Sequence, residues 1–102
     1  MPNGQNMPTK PKLEWRQQAI DDLNEFVIFI AEDNPDAAQK LKDEIEEKAE
    51  KLPQNPKLYK ESPRAKGMRE MVVRSNYIVI YRETATLVEI VNVVHARQQW
   101  PK

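Results

Sequence analysis

One histidine and one arginine lie where they could act on an anionic substrate. His95 ends the last apolar run of the chain, VNVVHARQQWP at 91–101. Imidazole titrates near neutral pH without special help, so His95 is the first candidate for a general acid or base. Arg69 comes just after Gly67, where a basic segment meets the first strand of a predicted hairpin. A guanidinium at that point can hold a phosphate or a carboxylate with two parallel hydrogen bonds.

Each candidate side chain also has a purely structural interpretation. A histidine at the end of a central strand can simply be held by a hydrogen bond, and Arg69 can pair with an acidic helix. Arg82 falls on the same strand face as Ile78 and Ile80, where an arginine can lie over the sheet edge. Trp100 could stack on a nucleobase or anchor a partner protein. A tryptophan after the last strand of a small domain more often folds back over the core, and we favour that interpretation.

The composition excludes several kinds of site. The chain has no cysteine and a single histidine, which removes disulfides, thiolate nucleophiles and clusters of imidazole ligands, so we expect neither a metal nor a cofactor. No phosphate loop or Ser-His-Asp order is present. The longest apolar run is FVIFIA at 26–31, far shorter than the roughly 20 residues that span a bilayer, and no signal peptide precedes it. We therefore expect a cytoplasmic protein without membrane contact.

The length of 102 residues predicts a single domain at 13–102 after a disordered lead at 1–12. The lead holds three prolines and a glycine and has no apolar period. LEW at 13–15 predicts a short edge strand. A helix is expected from Gln17 to about Glu32, with a broad apolar face that packs on something flat. That face consists of Ala19, Ile20, Leu23, Phe26, Val27, Phe29 and Ile30.

A second helix is expected to begin at Pro35, because Asn34 is a good N-cap and proline suits the first helical position. Its apolar residues form one narrow stripe, and Pro53 ends it. The stripe consists of Ala38, Leu41, Ile45, Ala49 and Leu52. Residues 53–67, PQNPKLYKESPRAKG, hold three prolines and one glycine. They predict a long, basic, irregular loop of the kind that often carries function.

Three runs rich in β-branched residues follow, MREMVV, YIVIYR and LVEIVNVVH, separated by SN and TAT. They predict three consecutive antiparallel strands. Alternation in the last strand places Leu87, Glu89, Val91, Val93 and His95 on one face and Val88, Ile90, Asn92 and Val94 on the other. Both faces are largely apolar, so this strand should be central. The predicted fold is α+β in the order β-α-α-β-β-β, with two antiparallel helices packed on one face of a small, curved, mainly antiparallel sheet.

Positive and negative charges are separated along the chain, although 16 Lys and Arg against 16 Asp and Glu give a formal net charge of zero. Residues 32–50 carry eight acids and three bases, which is −5, and residues 51–82 carry eight bases and two acids, which is +6. The second helix is therefore acidic, and the segment after it is basic. An anionic partner would meet one side only, and the chain lacks the overall positive charge typical of nucleic-acid-binding proteins.

The element order, with NPDAA between the helices, GMREMVV, YIVIYR and the closing VEIVNVVHARQQWP, resembles the RelE/ParE superfamily of bacterial toxins. The resemblance covers 13–101 and is closest to the ParE or plasmid-stabilisation branch. It implies the toxin of a type II toxin–antitoxin system, held inactive by an antitoxin that wraps an extended or helical segment over it. We expect the antitoxin to cover the basic side, and DNA contact to occur only through the antitoxin.

The resemblance implies one of two activities. RelE-type members cut messenger RNA in the ribosomal A site, and for that activity it implies catalytic roles for His95 as general acid or base, Arg69 as support of the scissile phosphate, and Arg82. ParE-type members bind DNA gyrase and block replication. The paired catalytic lysines of RelE have no counterpart in PKLYKESPRAKG, and Ala96 stands where histidine-using members often have an aromatic residue.

The neutral net charge also differs from the strongly basic RelE-like nucleases, since binding to RNA phosphates draws on many cations. We therefore expect a gyrase-binding toxin, with the ribosome-dependent endoribonuclease as the alternative. A third possibility is a member that only binds its antitoxin. The residues expected to bind partner proteins are Lys57, Lys60, Arg64, Lys66, Arg69, Arg97 and Trp100.

Overall fold

The computed structural model describes residues 10–101. The elements are β1 (Lys12–Trp15), α1 (Gln17–Ala31), α2 (Pro35–Glu50), a 3₁₀ turn (Leu52–Gln54), β2 (Arg69–Val73), β3 (Tyr77–Glu83) and β4 (Leu87–His95). This order confirms the predicted β-α-α-β-β-β arrangement. β1 begins at Lys12, the last residue of the predicted lead, and residues 1–9 of that lead lie outside the described residues.

Both helices begin where predicted, α1 at Gln17 and α2 at Pro35, but they end earlier than predicted. α1 ends at Ala31 and α2 at Glu50, so that Leu52 and Pro53 belong to the 3₁₀ turn. The Asn34 side chain accepts a hydrogen bond from the Ala37 N–H at 3.0 Å, and Pro35 occupies the start of α2. This bond satisfies one of the backbone donors that a helix leaves free at its first turn. The five residues of the predicted α2 stripe are all buried. Neither α1 nor α2 carries an apolar stretch long enough to cross a bilayer, and the same holds for the rest of residues 10–101.

The last strand is central, as its two apolar faces indicate. The sheet order is β1-β4-β3-β2, in which β4 pairs antiparallel with β3 and parallel with β1. β1 is an edge strand, as predicted, and its parallel pairing makes the sheet mixed. Buried residues lie on both faces of β4, which requires cover on both sides of the sheet.

The prediction that side chains alternate strictly between the two faces along β4 is wrong, because the strand contains a β-bulge. Ile80 pairs with Asn92 and Tyr81 pairs with Ile90, so Val91 is an extra residue on β4. Such an insertion moves all following side chains to the other face. Val88, Ile90 and Val93 consequently belong to one core beneath the helices, whereas Val94 belongs to a second cluster. Glu89 and His95, predicted on one face, therefore lie on opposite faces.

The cover on the second face comes from the loop before β2 and the chain after β4. Ile78, Ile80 and Val94 form a small buried cluster against which Met68 and Trp100 pack. Trp100 thus folds back over the sheet as a lid, which is the structural role favoured by the sequence. The larger core lies on the other face and joins both helices to the sheet.

The apolar face of α1 is only partly used, which corrects the sequence prediction. The side chains of Ile20 and Phe29 are 37% and 71% exposed, and Ile28 is 64% exposed. α1 contacts β4 on one side and α2 on another. The predicted apolar face of α1 is wider than the area that β4 and α2 cover, so apolar residues at the edges of that face remain exposed to solvent.

Two loop predictions also need correction. The turn between β2 and β3 is centred on Arg74 and Ser75, both at φ 56°, rather than on Ser75 and Asn76. The loop at 53–67 is not wholly irregular. It starts within the 3₁₀ turn, and Glu61 forms a β-bridge with Arg69.

Candidate functional site

His95 lies half-buried at the end of β4, with its ring held by its neighbours. Its Nδ1 accepts a hydrogen bond from the Arg97 N–H at 3.2 Å, and its ring meets Tyr77 edge-on at a centroid distance of 5.4 Å. Because Nδ1 accepts, the proton of the neutral ring resides on Nε2. The His95 N–H donates to Gln98 Oε1 at 3.1 Å. These bonds tie the start of the C-terminal segment to the end of the strand.

Arg69 is engaged inside the protein. Its Nη1 donates to the Tyr59 carbonyl at 2.7 Å, and its Nε lies 3.6 Å from Glu83 Oε1. The side chain is 18% exposed, and Glu83 is equally shielded. Arg69 therefore fastens the basic loop to the sheet, and it pairs with a carboxylate of β3 rather than with the acidic helix.

Arg82 lies on the face of the sheet opposite the helices. Its Nε donates to Glu89 Oε1 at 2.6 Å, and Arg16 Nε contacts the other oxygen of the same carboxylate at 3.1 Å. The hydrogen bond from Arg16, with a second from Arg82, lowers the pKa of Glu89 below its usual value despite the opposing effect of burial. One carboxylate of β4 is thus linked to β3 through Arg82 and to the junction of β1 and α1 through Arg16.

The structure does not bring His95, Arg69 and Arg82 together in one cleft. His95 of β4 pairs with Tyr77 of β3, and Arg69 of β2 pairs with Tyr81 of β3. The two residues are therefore separated by four positions along β3, roughly 13 Å at the rise of a strand. Arg82 points to the opposite face. No arrangement of these three side chains surrounds a common reacting atom.

The residues expected to bind partners fall into two groups. Lys57, Lys60, Lys66 and Arg97 are exposed, and no ion pair between described residues involves them. Arg64, Arg69 and Trp100 have internal partners. Arg64 Nε lies 3.1 Å from Glu70 Oε2, and Trp100 packs on the small cluster. The first group is available to an anionic partner, whereas the second shapes the surface that carries it.

A network of internal bonds holds the basic loop in place, and sequence reasoning missed most of it. The buried Ser62 hydroxyl donates to Glu70 Oε2 at 2.6 Å and accepts the N–H groups of Arg64 and Ala65 at 3.2 Å. The Tyr81 hydroxyl donates to the Pro56 carbonyl at 2.7 Å. Ser62 stands directly before Pro63, and serine next to proline is a turn signal that could have revealed the first bond. The second joins residues too far apart for any local signal.

Burial around Tyr81 has an electrostatic consequence. The phenol lies in the core under the loop and is fully shielded from solvent. Burial raises the pKa of Tyr81 to about 12, against a smaller lowering effect of the Arg69 charge. Tyr81 therefore stays neutral at physiological pH, and its hydroxyl keeps the proton with which it donates a hydrogen bond to the Pro56 carbonyl.

Comparison with known proteins bears on this arrangement. A family described as the ParE toxin of the type II toxin–antitoxin system, parDE, matches residues 13–100. A protein of Sinorhizobium fredii (strain NBRC 101917 / NGR234) named "Putative toxin Y4kP" is 34% identical over 95 residues, which cover 92% of this chain and 97% of the relative. A solved structure described as "Chromosomal ParDE TA system from P. aeruginosa" covers 84% of this chain and 96% of its own, with 19% identity and a TM-score of 0.75.

At 19% identity the structural match demonstrates the fold. The family match over nearly all of the domain and the curated relative carry the assignment further. They confirm the resemblance inferred from the sequence motifs. The chain is a member of the ParE toxin family of type II toxin–antitoxin systems.

Proposed function

We propose that this toxin arrests growth by binding DNA gyrase without cutting nucleic acid, and that a cognate antitoxin neutralises it. The observation that carries the choice is the separation of the three candidate catalytic side chains. General acid–base catalysis requires the acid, the base and the phosphate-binding group within hydrogen-bonding reach of one substrate. Arg69 and Arg82 are instead committed to Glu83 and Glu89.

The partner surface in this proposal is the basic side of the domain. Lys57, Lys60 and Lys66 project from a loop that is pinned to the sheet by Tyr81, Ser62 and the Glu61 bridge. Arg97 extends from the C-terminal segment, which Trp100 holds against the sheet. Because these bonds already hold the loop backbone, less backbone entropy is lost when its lysines bind a protein with a complementary acidic surface.

The partner residues keep distinct roles in this proposal. Lys57, Lys60, Lys66 and Arg97 contact gyrase directly. Arg64, Arg69 and Trp100 support them, because their side chains hold the loop and the C-terminal segment in position. The antitoxin would neutralise the toxin by covering the same basic side.

A paired assay on one preparation tests the proposal. Purified toxin is added to DNA gyrase in a supercoiling assay, and in parallel to translating ribosomes followed by primer extension of the message. We expect gyrase to be inhibited or trapped on DNA at micromolar toxin while the message stays intact. Codon-linked cuts in the message with unaffected gyrase would overturn the proposal in favour of the nuclease. Growth arrest on induction, suppressed by co-expression of the antitoxin, tests neutralisation.

The nuclease alternative has one observation in its favour. His95 is half-buried rather than enclosed, and with Nδ1 accepting from Arg97 its Nε2 carries the proton. The ring is therefore within reach of a substrate, but it can donate a proton to a leaving oxygen only as imidazolium, which requires Nδ1 to release the Arg97 N–H and bind a second proton. What it lacks among the candidate residues is a partner within reach, because Arg69 lies on the same face of the sheet but four positions away along β3 and is paired with Glu83.

A further inference from the structure

Leu58 projects from the basic loop into solvent, although the backbone on both sides of it is fixed. Its side chain is 62% exposed. The Tyr81 hydroxyl donates to the Pro56 carbonyl at 2.7 Å, and Arg69 Nη1 donates to the Tyr59 carbonyl at 2.7 Å. The Leu58 N–H donates to the carbonyl three residues earlier at 3.1 Å and so closes a turn. Two largely shielded side chains thus hold the loop while the leucine stays in water.

This arrangement presents Leu58 in a defined position. A large apolar side chain gains free energy when it leaves water, but this one cannot fold inward without breaking the bonds at Pro56 or Tyr59. A partner protein that covers it would lose little backbone entropy of the loop on binding. A single exposed leucine is common on protein surfaces, so the kind of partner has to be read from what surrounds it.

On the side of α2, the surroundings of Leu58 are cationic. A depression of about 120 Å³ lies there and has no carboxylate of residues 10–101 in its lining. No ion pair between described residues involves its two lysines, and the exposed Glu47 and Glu50 of α2 lie outside it. Besides Leu58, the lining consists of Lys48, Lys51, Leu52, Asn55 and Tyr59.

The charges on the other side of Leu58 are balanced. Lys60 lies there in a groove that Glu61 and Glu70 also line. Lys57, which precedes the leucine, is exposed and has no ion-pair partner among the described residues. The positive charge around Leu58 is therefore concentrated toward the end of α2. An apolar residue with such a rim matches an apolar pocket bordered by carboxylates.

We propose that Leu58 is the apolar centre of the surface that binds gyrase, and that it enters an apolar pocket of gyrase with carboxylates at its rim. Lys48, Lys51 and Lys57 pair with these carboxylates. The inference rests on the proposed function, which supplies gyrase as the partner. It adds an apolar contact and two lysines of α2 to a surface otherwise described by its charges. A second copy of this chain, joined by a two-fold axis at this surface, would bring lysines against lysines.

Substitution of Leu58 tests the apolar contact. We expect Leu58→Ala to weaken binding of the full chain to purified gyrase by about tenfold or more, measured by calorimetry. Leu58→Met keeps a large apolar side chain, and we expect it to bind within about threefold of the original. Thermal melting should be unchanged in both variants, because the side chain is mainly in solvent in the free toxin.

Ile28→Ala is the matched control. Ile28 is 64% exposed, close to the value for Leu58, and lies near the end of α1. α2 begins just after α1 ends, whereas Leu58 follows the end of α2. The two residues are therefore at opposite ends of the helical pair, and we expect Ile28→Ala to bind gyrase within about twofold of the original.

Salt dependence separates the leucine from its rim. The loss caused by Leu58→Ala should persist at high ionic strength, because an apolar contact is not screened. We expect the loss caused by Lys51→Glu with Lys57→Glu to shrink as salt is added. A loss in Leu58→Ala that also disappears with added salt would contradict an apolar contact.

The remaining outcomes separate this inference from the proposed function. If the original toxin binds gyrase and Leu58→Ala binds equally well, or Ile28→Ala loses as much, the inference is overturned and the proposed function remains. If Leu58→Ala weakens only antitoxin binding or only self-association of the toxin, the leucine belongs to that contact and the inference is again overturned. If the original toxin does not bind gyrase, both fail.

Discussion

Asp22 of α1 and Val93 of β4 are joined by a hydrogen bond across 71 positions of the sequence, with Asp22 Oδ2 accepting the Val93 N–H at 2.9 Å. The same oxygen accepts the Asn92 side-chain amide at 2.9 Å. β1 pairs with β4 only as far as Ile90, so beyond that point no strand within residues 10–101 lies beside this edge of β4. The Asp22 carboxylate accepts the main-chain N–H that a neighbouring strand would otherwise bind.

Removal of Asp22 should therefore destabilise the domain. Asp22→Ala leaves the Val93 N–H without a partner in a half-buried position, and we expect a loss of about 1–3 kcal/mol in the free energy of unfolding. Asp21→Ala is the matched control, because Asp21 is exposed and, within residues 10–101, accepts a side-chain bond only from Gln17, and we expect a change below about 0.5 kcal/mol. Urea titration at neutral pH measures both. Equal effects of the two substitutions would show that Asp22 does not support the strand edge.

Tyr81→Phe should loosen the basic loop. The lost bond to the Pro56 carbonyl is expected to cost about 1 kcal/mol and to speed amide exchange at 55–60. Tyr77→Phe serves as control, since no side-chain hydrogen bond of Tyr77 to a described residue is formed. Unchanged exchange in the loop of Tyr81→Phe would contradict the assigned anchor.

The raised pKa of Tyr81 predicts a dependence on alkaline pH. The unfolded chain ionises this phenol near 10, whereas the folded chain resists ionisation until about 12. The unfolded state therefore loses its proton first, so the folded protein loses stability as the pH rises through this window. The stability advantage of the original over Tyr81→Phe should be constant below pH 10 and decline above it. Denaturant titrations at several alkaline pH values measure the decline.

Glu89 predicts the opposite dependence in acid. The pKa of this carboxyl is lowered from 4.5 by Arg16 and Arg82, so its stabilising effect is complete above that value and is lost as the pH falls through the lower folded pKa. Both arginines are partly exposed, at 42% and 47%, so Glu89→Gln should cost no more than about 1 kcal/mol at neutral pH. The difference between the two proteins should vanish in strong acid. A difference that persists there would assign the effect to packing.

His95→Asn separates the two toxic mechanisms. Asparagine can still accept the Arg97 N–H but cannot act as a general acid or base, so the turn is preserved and the imidazole chemistry is lost. For a gyrase-binding toxin we expect growth arrest to be unchanged within about twofold. A drop of about 100-fold or more, in a variant with unchanged circular dichroism and melting, would support the nuclease.

Charge reversal on the basic loop should weaken gyrase inhibition. We expect Lys60→Glu with Lys66→Glu to reduce potency by about tenfold, and the loss should shrink at high ionic strength. Lys12→Glu with Lys40→Glu is the matched control, because it changes the net charge equally at exposed positions outside the loop. If both pairs reduce potency alike, the effect reflects net charge and the loop is not the gyrase surface.

Local sequence signals were sufficient for the elements and their order. The 3.6-residue period of α2, the Asn34–Pro35 start and the β-branched runs each depend on residues close together in the chain, and the structure confirms all of them. The same motifs identified the family. These features are readable because the physical preferences behind them act over one or two turns of helix or a few strand residues.

Tertiary contacts decided where the candidate side chains point and what they bind. The bulge at Val91 puts Glu89 and His95 on opposite faces of the sheet. Where the pairing of β1 with β4 ends, Asp22 accepts the Val93 N–H. The Tyr59 carbonyl of the loop accepts a hydrogen bond from Arg69. Such contacts join residues that are distant in sequence, and each depends on strand register and on the position of a neighbouring element. Sequence pattern determined which side chains were available, and packing determined which remained free for a partner.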